Sequence, residues 1–257
     1  MRFSMSPLRE LPPVTRWLAA AFLAGWLAEL LLGFRLSFYF GLVPFNVTGQ
    51  YWLWQTVTYI FIHADFWHFL FNAFMLWMLG RMLEPEMGSR KFLLYFLACG
   101  AAAALVTVAW TPGSIRPVVG ASGAIYGLLA AFAWLHPHTT VYVYFLFPMS
   151  ARTMAVLLGL MEFVLTYSRP GSGVSNITHL GGLAAGLLWL WTERRLARAA
   201  REAPAPDRQK LAALEDAARE QEEIDRLLEK ISRHGQESLT RAELARLDKY
   251  AGKGGHA

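Results

Sequence analysis

HADFWHFLFNAFMLWMLGRML, residues His63–Leu83, opens on a short polar stretch and then carries an imidazole and a carboxamide into an apolar, aromatic run with no charge until Arg81. About 20 mostly apolar residues are needed to cross a hydrocarbon core of about 30 Å, so the part from Trp67 to Leu83 predicts a membrane-spanning helix. Five further runs of similar character are bounded by charge, Pro or Gly: Trp17 to Phe34, Phe92 to Trp110, Gly120 to Leu135, Thr153 to Tyr167 and Asn176 to Trp191. The first is expected to stay as a mature span, because no convincing cleavage site follows its apolar stretch. Between the fourth and fifth runs, His136 to Met149 is apolar but framed by prolines. It is expected to be either a connection at the membrane surface or an extension of the fifth span.

The whole-chain composition agrees with a membrane domain. Of 257 residues, 55% are apolar, 14% aromatic and only 17% charged, with a mean hydropathy of +0.31. Most of the charge is crowded after Trp191, which divides the chain into a membrane domain (1–198) and a linker with a C-terminal helical hairpin (199–257). A net charge of +5 raises the question of nucleic acid. The Lys and Arg residues, however, sit at the ends of apolar runs and in the tail, a placement that marks topology and excludes nucleic acid as the partner. Arg2, Arg9, Arg16, Arg81, Arg90, Lys91, Arg152, Arg194, Arg195 and Arg198 fall on one side, predicted to be the cytoplasm, with only Arg35, Arg116 and Arg169 opposite. Both termini are then cytoplasmic. The first outer loop, from Arg35 to Phe66, is rich in aromatics and reads as a segment lying in the interface. Cys99 is the single cysteine, so neither a disulfide framework nor a thiolate metal site can be built.

Strongly polar side chains within apolar spans are costly and usually functional. Five stand out: His63, His68, Asn72, Ser122 and His179. His68 and Asn72 are four apart and share a helix face. Asn72, Ser122 and His179 each lie a few residues into spans that start on the outer side, within about one helical turn of a common level at 1.5 Å per residue. Ser122 sits in Gly120-Ala-Ser-Gly123 at a helix start, where unpaired N–H groups and the helix dipole favour a developing oxyanion. A hydroxyl nucleophile needs a base within hydrogen-bond reach, and neutral imidazole suits that task near pH 7. Gly123 and Gly127 on one span, with Gly182 and Gly186 on another, permit close helix packing.

These residues resemble the rhomboid family of intramembrane serine proteases over roughly residues 50 to 190. The matching motifs are His63-Ala-Asp-Phe-Trp-His68-Phe-Leu-Phe-Asn72, Gly-Ala-Ser122-Gly and Thr-His179-Leu-Gly-Gly182-Leu-Ala-Ala-Gly186. The resemblance implies an all-α, polytopic bundle of six transmembrane helices with a small cytoplasmic helical tail, acting as an intramembrane serine endopeptidase. Ser122 would be the nucleophile and His179 the base, a catalytic dyad with no Asp to orient the imidazole. Tyr126 would pack on that ring, and the Ser122 N–H with the His68 and Asn72 side chains would form an oxyanion hole. His63 would be structural, and Glu84 with Gly88-Ser89 would tie helix ends together. The implied substrates are single-pass transmembrane proteins cut near the outer face of the bilayer, with no cofactor and no metal. The implied location is a multi-pass position in a bacterial cytoplasmic (inner) membrane. One departure is Trp54-Gln55, where the family often carries Trp-Arg.

The rival reading keeps the fold without the chemistry, as a non-catalytic rhomboid-like protein that binds transmembrane helices. A small transporter would instead spread polar residues through the full depth of the membrane. In the tail, Ala203 to Pro206 predicts a break, Ile224, Leu227, Leu228 and Ile231 follow helical spacing, and Thr240-Arg-Ala-Glu243 reads as a capping box after a stop at His234-Gly235. A cytoplasmic partner for this hairpin and a solvated pair with none are both open. His136, His138, His234 and His256 are expected on the surface.

Overall fold

Pro13 opens the first helix at a position where the missing N–H would have no intrahelical partner anyway, and Gly33, at φ +59°, closes it. The computed structural model describes residues 11–143, 146–168, 174–202 and 208–254. Arg2, Arg9, Arg169, residues 203–206 and His256, named above, lie outside these. Helix α1 (Pro13–Leu32) leads into three short helices of the first loop, α2 (Phe34–Phe40), α3 (Pro44–Gly49) and α4 (Gln55–Thr58), and a 3₁₀ turn at Tyr59–Phe61. Then come α5 (Phe66–Met87), α6 (Ser89–Trp110), α7 (Ser122–Leu135), a β-hairpin of β1 (Thr140–Val143) and β2 (Phe147–Ser150), α8 (Ala151–Ser168) and α9 (Val174–Glu202). The chain continues as α10 (Arg208–His234) and α11 (Arg241–Gly254). Two compact units result, Met1–Ala197 and Arg198–Ala257.

Each of the six apolar runs is helical, in α1 and α5 to α9. Helices α1, α6 and α8 are long and apolar enough to cross a membrane, and α7 is apolar but only 14 residues long. Helices α5 and α9 are long but less apolar, because α5 carries His68, Asn72 and Arg81 and α9 carries Asn176 and His179 within their apolar stretches. The stretch from His136 to Met149 is a connection between α7 and α8 and not an extension of the fifth span, and its described residues form a β-hairpin. It pairs antiparallel, Thr140 with Ser150 through Val143 with Phe147, because alternating β-branched and aromatic residues prefer the pleated ribbon.

In lipid, apolar burial gives helices little reason to associate, so close contact and internal hydrogen bonds hold the bundle. Helices α6 and α7 meet through small residues: a Cβ on Gly100 would lie 3.4 Å from that of Ala124. Two tyrosines are fully buried, and each donates its hydroxyl to a backbone carbonyl, Tyr59 to Gly100 at 2.8 Å and Tyr95 to Gly127 at 2.7 Å.

Glu84 joins three helix ends. Its carboxylate accepts from the Val14 N–H at 2.9 Å, from the Thr15 N–H at 2.7 Å and hydroxyl at 2.8 Å, and from the Ser89 hydroxyl at 2.7 Å. The acid near the end of α5 thereby caps α1, two of whose first N–H groups would otherwise lack partners. Gly88, at φ +80°, makes the turn from α5 into α6.

The first loop is organised by Gln55, which is fully buried. Its Oε1 accepts from the Val43 N–H at 3.0 Å, and its Nε2 donates to the Phe38 carbonyl at 2.9 Å and the Tyr39 carbonyl at 3.3 Å. The departure from Trp-Arg therefore leaves an ordered loop, held by a neutral amide.

Within the second unit, Ile224, Leu227 and Leu239 are buried. Gly235, at φ +79°, ends α10. The Thr240 N–H donates to Glu243 at 2.7 Å while the Glu243 N–H donates back to the Thr240 hydroxyl at 3.3 Å, a reciprocal capping box.

Candidate active site

At 1.5 Å per residue, the 14 residues of α7 span about 21 Å, less than the roughly 30 Å of a hydrocarbon core. The segment that leads to its N-terminus is irregular, and such backbone survives at depth only if protein satisfies it. Here Leu42 and Val118 exchange two hydrogen bonds of 2.8 Å, Phe45 N–H donates to Ser114 at 3.0 Å, and Gly120 N–H donates to Tyr59 at 2.9 Å. Gly120 has φ +113°, which a side chain would strain. A Cβ there would also lie 2.5 Å from His68 Nε2, so only glycine lets the imidazole rest against the turn before Ser122.

Ser122 is the first residue of α7. Its Oγ lies 2.7 Å from His179 Nε2 on α9. The two helices approach to backbone contact at this level: a Cβ on Gly182 would lie 1.8 Å from the Gly123 carbonyl oxygen. One turn further along, a Cβ on Gly186 would lie 3.0 Å from the Gly127 carbonyl oxygen. Tyr126 stacks on His179 with ring centroids 4.5 Å apart and planes 8° from parallel.

The N-cap of α5 is Asp65, whose side chain accepts from the His68 N–H at 2.9 Å. That cap fixes the helical phase of α5, which puts His68, Phe71, Asn72 and Met75 on a cavity of about 310 Å³ together with Ser122, Tyr126 and His179. Asn72 spends one of its two amide hydrogens on the His68 carbonyl, at 2.8 Å. Of the first turn of α7, Ser122 and Ile125 line the same cavity, and the first N–H groups of a helix have no intrahelical partner. His63 stands behind it, fully buried against Phe22 (ring centroids 5.0 Å) and His68 (5.3 Å). Glu84 lies near the opposite end of α5.

Glu162, on α8, is absent from the five polar positions picked out of the sequence. The expectation of an imidazole without a carboxylate is corrected here: His179 Nδ1 lies 2.9 Å from Glu162 Oε1. The same oxygen accepts the Tyr126 hydroxyl, and Oε2 accepts the Asn176 amide at 2.7 Å. A signal for this residue was present in the chain, because an acid in the middle of an apolar span is exceptional.

The geometry defines a mostly helical integral membrane domain with a half-buried serine–imidazole pair beside a polar-edged cavity. Comparison with known proteins makes the assignment narrower. The Rhomboid domain model matches residues 50–196, and the model of a family of unknown function, DUF6576, matches residues 215–253. The mitochondrial Rhomboid protein 1 of Saccharomyces cerevisiae is 31% identical over 138 residues, which cover 51% of this chain and 39% of that protein. Rhomboid protease GluP of Bacillus subtilis is 30% identical over 148 residues, covering 57% and 27% respectively. The putative rhomboid protease YdcA of the same organism is 29% identical over 135 residues, covering 52% and 64%. The chain thus spans less than two thirds of the length of each of these relatives. It belongs to the rhomboid family.

Proposed function

We propose that this protein is an intramembrane serine endopeptidase in which Ser122 is the nucleophile and His179 the general base. The observation that carries this reading is the 2.7 Å approach of His179 Nε2 to Ser122 Oγ at the wall of a cavity. Relatives named as proteases support the same chemistry. As Oγ bonds to the scissile carbonyl carbon, its proton passes to Nε2 and the carbonyl π pair moves to oxygen. The Ser122 N–H and the side chains of His68 and Asn72, all on the cavity wall, are the donors for that oxygen on this reading. Collapse breaks the C–N bond and delivers the proton from Nε2 to the leaving amine. A water then attacks the acyl ester with His179 again as base, and Ser122 departs with its proton restored.

Substrates on this reading are single-pass transmembrane proteins cut near the outer face of the membrane. On this reading the six apolar helices span a bacterial cytoplasmic membrane, and the one-sided distribution of Arg and Lys supports placing both termini and the hairpin of α10 and α11 on the cytoplasmic side. His63 and Glu84 take structural roles, and Gly123, Gly127, Gly182 and Gly186 let the two reacting helices meet.

The test is cleavage of a helix-destabilised transmembrane substrate by the reconstituted full chain. Ser122→Ala and His179→Ala are each expected to lower kcat by about 10⁴-fold or more, with helicity unchanged and with fluorophosphonate labelling lost in Ser122→Ala. Cutting at the wild-type rate by both variants overturns the assignment.

A further inference from the structure

MAVLLGLMEFVLTY, residues 154–167, contains one charge, Glu162, and the structure buries its side chain to 6% exposure. Taking a carboxylate out of water costs several kcal/mol unless its lone pairs are fully engaged. Among the described residues no Lys or Arg side chain pairs with Glu162, and the one basic group in contact with it is the His179 imidazole. The side-chain groups that satisfy it come from two other helices and converge on the site: the Tyr126 hydroxyl from α7, and His179 Nδ1 and the Asn176 amide from α9.

That convergence fixes a protonation pattern. With Glu162 ionised, a state in which a carboxylate only accepts hydrogen bonds, the 2.9 Å contact to Oε1 places the imidazole proton on Nδ1. Nε2 is then left with its lone pair facing the Ser122 hydroxyl, the tautomer a general base requires. Tyr126 serves twice, because its ring lies on the imidazole face while its hydroxyl anchors the carboxylate. Asn176, one turn before His179 on α9, holds the second oxygen.

We propose that Glu162 is the positioning residue of this site, forming a Ser122–His179–Glu162 relay in which its carboxylate selects the reactive tautomer of His179 and stabilises the imidazolium that forms. This proposal rests on the endopeptidase reading above. The proton moves from Oγ to Nε2 and on to the leaving nitrogen, and the carboxylate stays ionised throughout.

The full chain reconstituted in nanodiscs tests this with Glu162→Gln and Glu162→Asp beside Ser122→Ala. Glu162→Gln is expected to lower kcat about 100-fold or more with KM little changed, and to slow fluorophosphonate labelling in parallel. Glu162→Asp, which keeps the charge on a shorter arm, is expected to recover part of both. Full activity in Glu162→Gln, with Ser122→Ala inactive, overturns the relay and leaves the endopeptidase reading standing. Activity in Ser122→Ala overturns that reading itself. Nitrogen-15 spectra of histidine-labelled wild-type protein give a readout that no variant's folding can disturb. The expected signature is a proton on His179 Nδ1 with Nε2 bare, and a proton on Nε2 at neutral pH overturns the proposal.

Discussion

Among the described residues of the membrane unit two glutamates are buried, Glu84 and Glu162, and the company each keeps differs. Glu84 gathers two backbone N–H groups and two hydroxyls from helix ends, groups with no chemistry of their own. Glu162 gathers a phenol, a carboxamide and an imidazole that also touches a serine. The cost of withdrawing a carboxylate from water is met in both places by a full set of donors. At Glu84 the return is a fixed junction of α1, α5 and α6; at Glu162 it is control over where a proton sits. Burial alone does not separate structural from reactive acids, whereas the identity of the donors does.

That contrast can be broken by exchanging the readouts of the two sites. Removing the acid at Glu84 strands buried donors at the start of α1, so Glu84→Ala is expected to destabilise the protein by about 3 kcal/mol, measured by thermal unfolding in detergent. Its kcat per folded molecule should stay within a few-fold of wild type. A large loss of kcat at unchanged stability would erase the distinction from Glu162. Gly182→Ala probes the contact that lets α9 bring His179 to Ser122, because its Cβ would strike the Gly123 carbonyl. The expected cost is about 1–3 kcal/mol, accompanied by lost cleavage as the two helices are pushed apart. Retained activity at full stability would show that the approach is not limiting.

The smallest effect concerns a third acid, half-buried in the second unit. The Thr240 N–H first, then Lys230 and the Thr240 hydroxyl, hold the Glu243 carboxyl down from its ordinary 4.5 to about 2. A carboxylate depressed on folding adds stability that is present above its unfolded value and is lost as pH falls toward the folded one. Protection of the α11 amides from hydrogen exchange is therefore expected to hold above pH 4.5 and to decline between there and about 2. Glu243→Gln should flatten that decline, and an unchanged decline would remove the capping box as its cause.

Much of the site was legible because its motifs are local. His68 and Asn72 announce themselves by spacing of four on an apolar helix, Ser122 by flanking glycines, and His179 and Gly182 by standing three apart where a helix must approach another closely. Tyr126 came from the resemblance to the rhomboid family, and its spacing of four from Ser122 agrees with it. Glu162 was not reached, since its partners lie on other helices, 17 and 36 residues away in sequence, and only tertiary packing brings them together. The β1–β2 hairpin escaped for a related reason: an apolar stretch between prolines has no periodicity long enough to choose a ribbon over a helical extension. In the tail, by contrast, Thr240 and Glu243 are three apart, and their mutual bond needs no tertiary partner.

Gln55 adds a lesson for transplanting pieces of this protein. Its amide uses both ends, one accepting from Val43 and the other donating to Phe38 and Tyr39. A guanidinium at the same place would donate but could not accept, leaving the Val43 N–H stranded and a charge enclosed. Residue 55 and the 38–43 strand of backbone therefore travel as one cassette: a chimaera that swaps the first loop with a relative bearing arginine must exchange both together or inherit a loop whose lock and key come from different proteins.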